Sequence, residues 1–104
     1  MAAPWNPPVK NQDFKVYIAV EDYVNPGNFK SSPTIAAGDF QVSKDGGAFA
    51  NLTSLPAVEP AATHAIVVSL TSTEMNADSV VIRGIDQTAP KEWADLLISI
   101  PTTA

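Results

Sequence analysis

The stretch Phe40 to Leu52, FQVSKDGGAFANL, sets the first limit on the fold. Phe40 and Val42 alternate with Gln41 and Ser43, which is the period of a strand with one buried face. Asp45-Gly46-Gly47 follows, and those residues tolerate the positive φ values that tight hairpin turns require. A second short strand carrying Phe49 is expected to return beside the first, with Phe49 packed near Phe40 and Val42. A helix cannot use this period or this turn, so the chain is read as β from here outward.

The same alternation recurs. In FKVYIAVE, Phe14 to Glu21, Phe14, Val16, Ile18 and Val20 share one face, and Lys15, Tyr17 and Ala19 share the other. His64 to Leu70 directs Ile66, Val68 and Leu70 inward, and Ser79 to Ile85 directs Val80 and Ile82 inward. Glu92 to Ile100 is the last expected strand, with Leu96, Ile98 and Ile100 toward the core and Pro101 as its stop. Leu52 and Leu55 are expected to close the hairpin unit, and Pro56 and Pro60 to mark a connection. Asp22 to Thr34 is a long loop rich in Asn, Pro, Gly and Ser, with Tyr23 and Phe29 in it. Thr71 and Glu74 have capping-box spacing, so a helical turn is expected over residues 72–77 with Met75 in the core. Six or seven short strands at spacings of about 8 to 12 residues give an all-β, immunoglobulin-like antiparallel sandwich as the expected fold.

Residues 1–12 read as an extended arm ahead of one domain spanning 13–104. Pro4, Pro7 and Pro8 favour polyproline II over a ladder strand. Trp5 lies among them, and a large apolar side chain on an arm either folds back or anchors in a neighbour. Trp5, Pro7, Pro8, Tyr23 and Phe29 are therefore the candidate protein-interface residues.

Chemistry is sparse. The chain has one histidine, His64, and no cysteine, which leaves no thiolate nucleophile and no cysteine metal site. Its eleven carboxylates are spread along the whole length and form no motif, and no phosphate loop, calcium loop or nucleophile elbow is present. No catalytic, metal or cofactor residue is assigned, and a non-enzymatic role is expected. A net charge of −5 with only six Lys and Arg argues against nucleic acid as a partner. No apolar run has the length of a signal peptide or a membrane span, so neither export by that route nor a membrane partner is expected.

The hairpin SKDGGAF at Ser43 to Phe49, Pro60-Ala61, VVSLTSTEMNAD at Val67 to Asp78 and a closing strand with Trp93 and Asp95 together resemble small immunoglobulin-like structural proteins of tailed bacteriophages. The resemblance covers Ile35 to Thr103. It implies a virion structural protein, first of all a capsid decoration or cement protein made in the host cytoplasm. It further implies the major capsid protein and neighbouring copies of the chain as partners, and so a homo-oligomer in the virion. A neck, tail or baseplate component is the alternative. A carbohydrate-binding adsorption module is the second alternative, with Tyr17, Tyr23, Phe29 and Trp93 as candidate platform residues. The arm before Phe14 and the loop after Glu21 fall outside the shared pattern and are where role-specific contacts are expected.

Overall fold

A computed structural model of the chain describes residues 7–103. Seven strands follow in order: β1 (Phe14–Ile18), β2 (Phe40–Lys44), β3 (Ala50–Asn51), β4 (Ala57–Val58), β5 (Ile66–Leu70), β6 (Ser79–Gly84) and β7 (Leu96–Pro101). They form two antiparallel sheets, one ordered β1-β5-β4 and the other β3-β2-β6-β7. The fold is all-β and sandwich-like.

Register explains which side chains meet. Val42, Ile82 and Ile98 stand opposite one another across the larger sheet, as do Lys44, Val80 and Ile100. In the smaller sheet Val16 faces Val68 and Ile18 faces Ile66. The inward members of these rows join Val20, Phe40, Leu70, Met75 and Trp93 in one apolar cluster. Burial of such side chains stabilises by about 1.5–3 kcal/mol each, before the entropy of ordering them is subtracted.

One inward position in β6 has no side chain. A Cβ on Gly84 would lie 2.9 Å from Phe40 Cε1 and 3.1 Å from Leu96 Cγ. Phe40 is itself held by a ring stack on Trp93, at 5.3 Å between centroids and 22° between planes, so it has little room to yield. Gly84→Ala is expected to cost about 1–3 kcal/mol through overpacking, measured by urea unfolding. An unchanged midpoint would mean that the Phe40–Trp93 pair shifts freely.

Several expectations are corrected. Residues 72–75 form a hydrogen-bonded turn, and no helix is present among the described residues. The capping-box bonds do form, with Glu74 N–H donating to Thr71 Oγ1 (3.2 Å) and Thr71 N–H to Glu74 Oε1 (2.8 Å). Only Met75 N–H to Thr71 O then spans four residues; the next bonds shorten to Asn76 N–H to Thr73 O and Ala77 N–H to Met75 O. One turn is too short to propagate a helix. Met75 is nevertheless fully buried, as expected.

The last strand begins at Leu96 rather than Glu92, and it includes Pro101. Phe49 precedes β3 and is absent from the core. Its ring lies under the Arg83 guanidinium, 4.1 Å from the ring centroid. Arg83 faces Gln41 in the register, so it stands on the side of the sheet away from Val42 and Ile82. Leu55 is half exposed and closes nothing, and the connection after Pro56 contains β4, which pairs with β5.

Candidate functional site

Strand directions bring three connections to one end of the sandwich: residues 19–39 between β1 and β2, 59–65 between β4 and β5, and 85–95 between β6 and β7. They are fastened to one another by main-chain bonds. Tyr23 N–H donates to Glu92 O (2.9 Å), Ala94 N–H to Glu21 O (2.9 Å) and Ser32 N–H to Thr63 O (3.0 Å). The Trp93 indole N–H reaches Thr34 O at 3.1 Å, and Thr34 N–H donates to Glu92 Oε1 at 3.1 Å. Trp93 thus lies between two of the loops with its ring in the core.

Two buried carboxylates set the shape of this end. Asp39 takes Ala36 N–H on Oδ2 (2.9 Å) and Gln87 N–H on Oδ1 (3.3 Å), which ties the start of β2 to the 85–95 loop. Asp86 takes Thr88 N–H on Oδ1 (3.0 Å) and Glu92 N–H on Oδ2 (2.7 Å), which closes the loop on itself. Burial pushes the Asp86 carboxyl up, but the amides of Glu92, Thr88 and Trp93 and the Thr88 hydroxyl outweigh it, so its pKa falls below the ordinary 3.8. At the far end Glu74 does the same work, with Oε2 accepting Thr53 N–H at 2.9 Å beside its bond to Thr71. Buried acceptors of this kind hold loops because the amides they bind have no water to turn to.

Within the 19–39 connection, residues 21–29 form a projecting loop. Asp22 N–H donates to Asn28 O (2.8 Å), and Glu21 and Phe29 make a bridge at its base. Asp22 Oδ1 accepts Val24 N–H (2.9 Å) and Asn25 N–H (3.1 Å). The Asn25 amide leads the influences that hold the Asp22 carboxyl below 3.8. Gly27, at φ +94°, makes the sharp return, and its N–H donates to Glu21 Oε2 at 2.9 Å. The loop is therefore braced at its base and through its bend, while its apolar side chains face outward: Tyr23 is 56 % exposed, Val24 72 % and Phe29 60 %.

Neighbours extend this surface. Phe29 stacks on the His64 ring of the 59–65 loop, at 4.8 Å and 19°. Lys91 lies 5.5 Å from the Tyr23 ring centroid and also bonds Asp95, which raises the Lys91 pKa above 10.5. Compared with protein-family models, curated proteins and solved structures, the chain has no match. Its function is therefore argued from this surface and from the sequence resemblance.

The candidate residues fall in three places. Tyr23 and Phe29 sit together on the projecting loop. The loop is fastened by main-chain bonds, by carboxylates and by the stack of Phe29 on His64. Pro7 and Pro8 belong to the opposite end. There Thr103 N–H donates to Pro8 O (3.0 Å), Lys10 N–H donates to Thr103 O (2.8 Å), and Val9 bridges Thr103 in parallel. The described part of the arm thus docks on its own domain. Trp5 lies outside the described residues. Trp93, a candidate platform residue, is completely buried and cannot serve as one. Val24 was missed by sequence reasoning; a lone valine in a turn-rich loop carries no signal until its exposure is seen.

Proposed function

We propose that this chain is a non-enzymatic, immunoglobulin-like structural protein of a tailed-bacteriophage particle, with capsid decoration as its role. The strand order supports the immunoglobulin-like part. Sheets ordered β1-β5-β4 and β3-β2-β6-β7 correspond to the B-E-D and C′-C-F-G orders of that architecture. The parallel bridge of Val9 to Thr103 lies where an N-terminal strand meets the last strand in such domains. The residues that carry the phage resemblance fall on structural features: the Asp45-Gly46 turn with φ of +49° and +77°, the Glu74 clasp and the buried Met75.

The observation that carries the docking role is the exposure of Tyr23, Val24 and Phe29 together on a braced loop. Large apolar side chains exposed on one loop suit an interaction surface. A loop already ordered loses little entropy when it docks. Many copies, each held weakly, reinforce a shell through multivalency. Such reinforcement needs no catalytic group, and the buried carboxylates Asp39, Asp86 and Glu74 are each engaged on both oxygens by loop amides.

The test is binding of the purified protein to expanded capsids, read as a rise in capsid melting temperature. Replacing Tyr23 and Val24 together by Ser is expected to weaken that binding by about tenfold or more while leaving the fold intact, since truncated interface anchors cost upward of about 1 kcal/mol each. Unchanged capsid melting, with binding to tail tubes instead, would overturn decoration in favour of the tail role.

A further inference from the structure

The projecting loop encloses a small depression lined by Glu21, Gly27, Asn28 and Phe29. We propose that it is a socket for an arginine side chain presented by the protein partner; this rests on the docking role proposed above. The polar atoms of the depression are fixed in advance. Glu21 Oε2 accepts Gly27 N–H at 2.9 Å, which orients the carboxylate at the edge of the depression. The Asn28 amide nitrogen donates one of its two hydrogens to Asn25 O at 3.4 Å, and its carbonyl oxygen is a further acceptor. The charged group of the depression is the Glu21 carboxylate, which accepts hydrogen bonds and donates none. A complementary ligand is a cation that donates hydrogen bonds.

The third wall is aromatic. Phe29 remains 60 % exposed although His64 stacks on it, and His64 does not line the depression. A planar cation can therefore lie against the ring while its N–H groups reach Glu21 and Asn28. Guanidinium combines planarity, donor-only character and charge, and it stacks on aromatic faces more readily than ammonium. The fold already uses this pairing where Arg83 lies over Phe49. A net charge of −5 favours the approach of a basic segment. Gly27 has open space where a Cβ would be, so the rim does not obstruct entry.

The experiment is an amide-resolved NMR titration of the full chain with N-acetylarginine methylamide, run beside its lysine counterpart and a methyl glycoside. The arginine compound is expected to shift the Gly27, Asn28 and Phe29 resonances saturably in the millimolar range, more strongly than lysine, and less at high salt. Glu21→Gln should weaken it by about fivefold, the scale of an exposed ion pair. Phe29→Leu should remove the preference for arginine over lysine. Absence of saturable shifts, or shifts from the glycoside alone, would overturn the socket. Capsid binding measured on Glu21→Gln separates the two claims. Undiminished binding by that variant defeats the socket and leaves decoration standing. Arginine binding without any capsid binding defeats decoration and leaves the socket.

Discussion

Replacing Trp93 by Ala is expected to produce the largest loss of stability of any single change in this chain. The ring is fully buried, stacks on Phe40 and bonds the Thr34 carbonyl. Removing it opens a cavity in the apolar cluster and releases the loop that carries Thr34. Such truncations cost about 3–5 kcal/mol. A domain of this size has a total stability of about 5–15 kcal/mol, so the variant is expected to melt about 15–30 °C lower or not to fold at 37 °C. Calorimetry or far-ultraviolet circular dichroism reads the effect without relying on indole fluorescence. Trp93→Phe keeps a ring against Phe40 and gives up only the N–H bond, so it should retain most of the stability. Equal losses in the two variants would show that the hydrogen bond, and not the ring, fastens the loops.

The second large effect is expected at Asp86. Its oxygens each take a loop amide in a buried setting, and Asn in its place would turn an NH2 group toward one of those amides. A bond to a charged acceptor contributes about 1.5–3 kcal/mol, and facing two donors adds to the loss, so Asp86→Asn is expected to cost about 2–4 kcal/mol near neutral pH. The carboxyl has a folded pKa below its ordinary 3.8. Its stabilising contribution is therefore complete above that value and is lost as pH falls through the lower folded value. Urea unfolding at a series of acid pH values should show a steeper acid decline for the native chain than for the Asn variant. Parallel declines would assign acid sensitivity to other carboxylates.

What the sequence could reveal was governed by how local each cause is. The alternation in Phe14–Ile18, Ile66–Leu70 and Ser79–Gly84 is visible in any short window, and each run forms a strand with the expected inward face. The capping-box bonds of Thr71 and Glu74 were legible for the same reason. The failed helix was not, because the turn is cut short by β6, which begins at Ser79 and pairs with β2 and β7, partners distant in sequence or later in the chain. Phe49 sits just past the β2–β3 ladder, and proximity in sequence to Phe40 did not decide its face; the Arg83 guanidinium, brought alongside by β6, did. Trp93 looked like part of a strand and is instead a plug between loops. At the candidate site, Tyr23 and Phe29 could be named from composition. Their exposure could not, since it depends on main-chain bonds from Glu92 and Glu21 that take over the work of anchoring the loop.

The bridge between Val9 and Thr103 has a practical corollary. It gathers both ends of the described chain at the pole of the sandwich remote from Tyr23 and Phe29. A dye on a cysteine introduced at Pro7 or Thr103, both exposed, would therefore report on the domain from the side turned away from the loop surface.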